Sequence, residues 1–533
     1  MILGGFRRRT AVLNSLIVTI SDSGPQHAMK AHRDRFFSLH MPKSPFSMQQ
    51  TVRDLSPASL WNHFANLNAV PRPSKKEARI IQFMVDFGES LGLATTVDDI
   101  GNVVIRKPAT PGMENRQTVV LQSHLDMVHQ QNAGTGVDFE SEGIKMFVED
   151  DWVKAHGTTL GADNGIGVAA IMAILSASDI PHPALEGLFT IDEETGMTGA
   201  LGLQGGILEA SIMLNLDTED DHELTIGCAG GIDVSARGQS ESEPTPENHH
   251  GLAITIKGLT GGHSGMDIDK GRGNANKLMN RLVQGLEQQT DIRLASVDGG
   301  GLRNAIPRES HAIVTAPQEQ VGLVRSYISK METTFQAEYH VTDPGLTVTV
   351  EPIAVPDTVL TVAFQAACLK AVYACPNGIY RLSPDIQGLV QTSNNLARVL
   401  ITPESYECLC LTRSSVDSEK MDVAAMITSV FQLIGAQVST GGDYPGWTPN
   451  PTAPIISTMT DLYKEMFQEE PHVAACHAGL ECGILGTNYP GMDMISFGPN
   501  IRGAHSPDEK VQISSVQKFW RYLLETLTRI PVQ

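Results

Sequence analysis

Apolar residues recur at helical spacing in the first well-patterned stretches of the chain. Leu60, Phe64 and Leu67 share one stripe of residues 57–68, and Ile80, Ile81, Met84 and Phe87 share another across 78–91, so both read as helices. Short apolar runs at 94–97, 103–106 and 119–122 read as strands. An apolar helix is predicted at 165–177, directly after a glycine-rich turn. The runs 185–191 and 212–216 are strand-like and end abruptly in acids. Strands alternating with helices predict a mostly parallel α/β sheet.

The pattern changes after Gly230. Residues 238–250 are rich in Glu, Ser and Pro and read as a loop. From 252 to about 435, strands (252–256, 312–315, 346–350, 407–411) alternate with amphipathic helices (275–288, 321–335, 423–434). That predicts an α+β unit inserted into the first domain. The Gly441-Gly442 to Gly446 region marks the expected return, and helices at 456–467 and 513–528 follow.

Length supports this division, because 533 residues exceed what one hydrophobic core holds. The expected organisation is an N-terminal extension at 1–50, a first domain at 51–230 completed by 441–533, and the insert at 231–440. The extension carries Arg7-Arg8-Arg9 and a mildly apolar stretch at 11–20 interrupted by Asn14 and Ser15. It reads as an unstructured extension, or as the product of a start codon set too far upstream of Met29, Met41 or Met48.

Composition narrows the function classes. The 41% hydrophobic and 19% charged content is that of an ordinary globular protein. A net charge of −21 argues against nucleic acid as a partner, since phosphate binding needs a basic surface. Clustered carboxylates would instead attract cations. Seven scattered cysteines, Cys228, Cys368, Cys375, Cys408, Cys410, Cys476 and Cys482, form no CxxC pair. An odd, unpatterned set argues against a disulfide scaffold or a cysteine zinc site, and for a reducing, cytoplasmic compartment. No apolar run approaches the ~18 residues of a membrane span.

The candidate chemistry lies in five short clusters. The apolar strand 119–122 runs into Ser123-His124-Leu125-Asp126. Residues two apart in an extended chain share a face, so His124 can bind a metal with Asp126 orienting it; surface polarity is the alternative. In Gly161-Ala162-Asp163-Asn164-Gly165, Asp163 is either a helix N-cap or a carboxylate bridging two cations. Asp192-Glu193-Glu194 places three repelling acids at a strand end: a solvated turn, or a ligand (Glu194) beside a base (Glu193). Asp217 ends another apolar strand, and His505 lies in Gly503-Ala504-His505-Ser506-Pro507. Either alone reads equally as a capping or surface residue. Together, several strands end in His or acid where open α/β sheets place ligands. Two His and three or four carboxylates without Cys suit zinc, and also cobalt or manganese.

These motifs, in this order, resemble the PepD-type aminoacyl-histidine dipeptidases within the zinc aminoacylase and carboxypeptidase clan. The resemblance runs from about Leu55 to the C-terminus. It implies a dinuclear zinc peptidase, with His124, Asp163, Glu194, Asp217 and His505 as ligands. Asp163 would bridge the metals, Asp126 would orient His124, and Glu193 would be the general base. The resemblance also implies that the insert is a lid. His263 in Gly262-His263-Ser264, Asn304, Arg413 and Gly479 match substrate-contacting positions, with Arg413 suited to a substrate carboxylate. The expected substrate is a small peptide such as β-alanyl-histidine, and the expected assembly a homodimer. An N-acyl amino acid amidohydrolase or a tripeptidase on the same scaffold remains open, as does an inactive metal-binding scaffold.

Overall fold

A computed structural model describes residues 51–533; the expected extension at 1–50 lies outside the described residues. One eight-stranded sheet runs in the order Ala94–Val97, Val103–Lys107, Leu185–Thr190, Val119–His124, Ile212–Asn215, Asp493–Ser496, Glu223–Cys228, His472–Cys476. Its central pairings, from Leu185–Thr190 through Asp493–Ser496, are parallel, whereas the pairings at the Ala94–Val97 edge are antiparallel. Every residue of Val119–His124, Leu185–Thr190 and Ile212–Asn215 is buried, which is why these strands read as unbroken apolar runs.

Two cores sandwich this sheet. Val119 and Leu121 pack on one face with the helices Ala58–Leu67, Ala162–Ser176, Pro454–Phe467 and Ile513–Arg529. Val120 points the other way, toward Leu203 and toward Ile484 and Leu485 of the Glu481–Asn488 helix. The Ala162–Ser176 helix is nearly all Ala, Gly, Ile, Val, Leu and Met beyond its first three residues, and it is buried around its whole circumference.

A second sheet has nine strands and is antiparallel throughout. Its path is Thr347–Ile353, His249–Lys257, Ser310–Pro317, Arg293–Gly300, Val390–Ile401, Ser405–Ser414, Gly230–Gln239, Gln437–Tyr444, and Gly378–Leu382 pairs with Val390–Ile401. Helices Ala275–Glu287, Val321–Glu338, Val362–Ala374 and Asp417–Gln432 close a separate core with it. The chain enters this sheet at Gly230 and leaves it at Tyr444. There the two passes touch: a Cβ on Gly230 would meet the Gly446 nitrogen and the Tyr444 carbonyl at 2.5 Å.

Several elements differ from the sequence reading. The polar 238–250 segment is not all loop. Gly230–Gln239 continues into it, and Ser242–Pro244 pairs with Thr358–Leu360, because cross-strand partners override a polar composition. Gly441 and Gly442 sit inside the Gln437–Tyr444 strand, at a register shift opposite Asp233, so the return turn falls at Pro445-Gly446. The helix expected at 423–434 spans Asp417–Gln432, its acidic first turn hiding the start. Helix Val362–Ala374 escaped the sequence reading because it lacks a clean apolar stripe. Among the described residues no helix is long and apolar enough to cross a membrane.

Candidate metal centre

Parallel pairing aligns the carboxyl ends of three strands, with His124 opposite Thr190 and Gln122 opposite Asn215. Each strand therefore delivers its polar residues to one place: His124 at its own end, Glu193 and Glu194 just past Thr190, and Asp217 just past Asn215. Asp163 arrives from the start of the buried helix. The preceding Gly161 has φ 68°, and a Cβ there would meet the Arg72 guanidinium at 2.5 Å, so the turn requires glycine. His505 comes from the loop between Ile501–Arg502 and Lys510–Gln512, with φ 63°.

The five residues form two overlapping groups, His124–Asp163–Asp217 and Asp163–Glu194–His505, whose ligand atoms lie within 4.8 Å of one another in each. Asp163 belongs to both through different oxygens. Its Oδ1 is 3.1 Å from His124 Nε2, and its Oδ2 is 3.3 Å from His505 Nε2. Asp217 Oδ1 stands 3.6 Å from His124 Nε2, and Glu194 Oε2 stands 2.9 Å from His505 Nε2.

Behind these residues sits a supporting layer. Asp126 is fully buried, and its Oδ1 lies 3.4 Å from His124 Nδ1. The same carboxylate accepts the backbone N–H groups of Glu193 at 3.0 Å and Glu194 at 3.3 Å. Glu509 accepts four consecutive N–H groups of the Asp163 turn: Leu160 (2.7 Å), Gly161 (2.9 Å), Ala162 (2.7 Å) and Asp163 (3.3 Å). Arg72 is buried and donates to the carbonyls of Leu125 and Asp126, both at 3.0 Å. The sequence assigned neither Glu509 nor Arg72 a role, although Glu509 closes the His505-Ser506-Pro507-Asp508-Glu509 motif. Glu509 was visible four residues after His505, whereas Arg72 in Pro71-Arg72-Pro73 carries no pattern.

The electrostatics are those of a site with excess negative charge. Burial, with Asp217 and Glu481 close by, pushes the Glu193 carboxyl well up against the opposing pull of His124. Burial pushes Asp163 up too, but hydrogen bonds from His124 and His505 outweigh it and hold this carboxyl below the ordinary range. Hydrogen bonds to Asp163 and Glu194 raise His505 to about 11. Divalent cations would take over the compensation that the imidazolium groups give. The donor set fits them: nitrogen and oxygen ligands, a carboxylate facing two ways, and a buried Glu194 Oε1 without a hydrogen-bond partner among the described residues.

The centre opens into a cleft of about 520 Å³ lined by Glu193, Asp217, Glu219, His263, Gly479 and Arg502, among others. His263 Nδ1 accepts the backbone N–H groups of Gly265 (3.2 Å) and Met266 (3.0 Å). A neutral His263 therefore carries its proton on Nε2. Arg413 does not line the cleft. It is buried one layer behind, donating to Tyr444 Oη at 2.9 Å and lying 3.5 Å from Ser264 Oγ. Asn304 is exposed and outside the cleft lining; its backbone carbonyl accepts the Ser264 N–H at 2.7 Å.

The sequence pattern of peptidase family M20/M25/M40 matches residues 120–529. The chain belongs to this family. This M20 peptidase is a hydrolase acting on peptide bonds. It is 42% identical over 482 residues to the cytosol non-specific dipeptidase of Escherichia coli K12, covering 90% of this chain and 99% of that protein. The crystal structure of aminoacylhistidine dipeptidase from Vibrio alginolyticus superposes with a TM-score of 0.86 at 42% identity, covering 91% of this chain and 99% of that one. Aminopeptidase PepT from Bacillus cereus shares the fold at 15% identity, with a TM-score of 0.52 over 89% of this chain and 99% of its own.

Proposed function

We propose that this M20 peptidase is a cytoplasmic dinuclear zinc dipeptidase that cleaves unblocked dipeptides, including Xaa-His substrates such as β-alanyl-histidine. The names of the Escherichia coli and Vibrio alginolyticus relatives support the substrate class. The observation that carries the metal reading is Asp163, whose two oxygens face two different histidines. A carboxylate so placed bridges two cations and offsets their repulsion. His124 and Asp217 would hold one, and Glu194 and His505 the other, with zinc, cobalt and manganese all compatible with these donors.

When bound, the two cations would supply Lewis acidity at the scissile carbonyl and at water. Glu193 lines the cleft, takes a proton from the attacking water, and returns it to the leaving amine. His263 offers Nε2–H to the carbonyl oxygen as negative charge develops there. The unit at 231–440 acts as a lid on a catalytic unit formed by 51–230 and 441–533. Its closure brings Arg413 and Asn304 to the substrate, Arg413 taking the C-terminal carboxylate in a fork, while Gly479 leaves room beside it. The assembly is a homodimer, which light scattering reads directly.

The test is a substrate panel on purified protein: dipeptides including β-alanyl-histidine, tripeptides and N-acyl amino acids, each with chelator and with added zinc. Chelator-sensitive, zinc-restored cleavage of dipeptides is the expected result. Activity that ignores chelator overturns the metal reading, and preference for N-acyl amino acids overturns the dipeptide reading.

A further inference from the structure

Beneath the metal centre lies a polar layer that the reaction does not use. Glu481 opens the Glu481–Asn488 helix and is fully buried. Its Oε2 accepts hydrogen bonds from Gln122 Nε2 and from Thr190 Oγ1, both at 2.6 Å. Gln122 stands two residues before His124 on the same strand and the same face. Thr190 ends the strand that leads into Glu193 and Glu194. Gln122 Oε1 in turn accepts a bond from Asn215 Nδ2, two residues before Asp217. One carboxylate thus gathers the three strands whose ends carry the centre.

The other Glu481 oxygen, Oε1, is buried and has no hydrogen-bond partner among the described residues. A half-satisfied buried carboxylate is costly, and an apolar side chain of similar size would fill the space without that cost. Filling space therefore does not account for it. The residues just before it do: Ala478, Gly479 and Leu480 line the cleft. Glu481 is the covalent continuation of the cleft wall and the acceptor for the strands beneath.

We propose that Glu481 is a positioning residue. By holding Gln122 and Thr190 it keeps His124 and the Glu193-Glu194 turn in register with the substrate-facing wall at 478–480. The inference rests on the metal reading above. It makes no use of the identity of the peptide.

The test replaces Glu481 with leucine, which is similar in size and accepts no hydrogen bond, and with glutamine, which keeps one acceptor oxygen. Metal affinity of the stripped protein is measured by calorimetric titration, and kcat and KM are measured separately. Glu481→Leu is expected to lower metal affinity by ~10- to 100-fold and kcat by a similar factor, while KM moves little. Glu481→Gln is expected to recover most of that loss. Thr190→Val, which removes one of the two donors, shifts both quantities in the same direction by less. The Glu481→Leu/Thr190→Val pair should lose no more than Glu481→Leu alone, because both act through one bond.

Wild-type metal affinity and kcat in Glu481→Leu overturn the proposal, and so do simply additive losses in the pair. If the leucine variant does not fold, Thr190→Val decides alone, and unchanged metal affinity there is a refutation. A wild-type enzyme that binds metal yet cleaves no dipeptide sinks the substrate reading and leaves this test standing.

Discussion

Asp126 accepts the backbone N–H of Glu193 at 3.0 Å. The same buried carboxylate stands 3.4 Å from His124 Nδ1, so one side chain contacts both the His124 imidazole and the turn that carries Glu193. Asp126→Ala removes both supports at once. Metal affinity should fall by ~10- to 100-fold, the usual consequence of losing a carboxylate behind a ligating histidine. A fall in kcat should accompany it, because the Glu193 turn also loses its acceptor. Calorimetric metal titration beside steady-state kinetics checks this; an unchanged metal affinity shows that Asp126 does not orient His124.

Glu193 has a different signature. Its side chain makes no hydrogen bond among the described residues and faces the cleft, which is where a proton carrier belongs and a structural acid does not. Glu193→Gln should keep its full metal content and lose ~10²- to 10⁴-fold in kcat, the range of general acid–base catalysis. Metal analysis of the purified variant, together with kcat on the preferred dipeptide, separates a base from a ligand. Loss of metal along with activity would make Glu193 a ligand instead.

Glu509 holds the turn that presents Asp163 by accepting four backbone N–H groups. Glu509→Ala leaves those donors without an acceptor in a buried region. Stranding buried donors costs roughly 3 kcal/mol or more in total. Thermal unfolding should move to lower temperature, and because Asp163 sits in the released turn, the stabilisation gained on adding zinc should shrink as well. A variant that melts as the wild type does, with the same zinc response, removes Glu509 from this role.

The sequence made the polar strand ends at the candidate centre legible for a physical reason. Strands buried on both faces must be apolar along their length, so a histidine or acid ending such a run stands out, as His124 and Asp217 do. The supporting groups were illegible because nothing local marks them. Glu481 finds Gln122 and Thr190 across 359 and 291 positions of chain, and Arg72 reaches the Leu125 carbonyl across 53. The antiparallel sheet was readable only in part. Gly441 and Gly442 look like a turn until the strand Gly230–Gln239 is placed beside them. Substrate positions divide in the same way: His263 and Gly479 line the cleft, while Arg413 and Asn304 do not.

His263 spends Nδ1 on two backbone N–H groups, which leaves Nε2–H as its only donor. Burial and the nearby Arg413 charge hold its pKa below the ordinary value, so it stays neutral at physiological pH. His263→Ala should then cost kcat by ~10²- to 10³-fold, as for loss of an oxyanion donor, and change KM much less. His263→Asn cannot reproduce a donor held by that backbone cradle and should rescue little. A loss confined to KM would recast His263 as a binding residue only.

His477 provides a pH test away from the proposed metal ligands. It is 7% exposed, with Nε2 at 2.8 Å from Ser393 Oγ. Burial first, and the Arg413 charge second, lower its pKa to about 3. In the unfolded chain it titrates near 6.5, so between pH 6.5 and 3 the unfolded state binds a proton that the folded state refuses. Stability from this residue is therefore complete above pH 6.5 and is lost as the pH falls toward 3. By pH 4.5, two units below the unfolded value, the loss is about 3 kcal/mol. His477→Gln has no such titration. Its melting temperature should lie below wild type at pH 7.5, and the gap should close or reverse by pH 4.5. Parallel melting curves at every pH would mean that His477 takes up its proton in the folded protein.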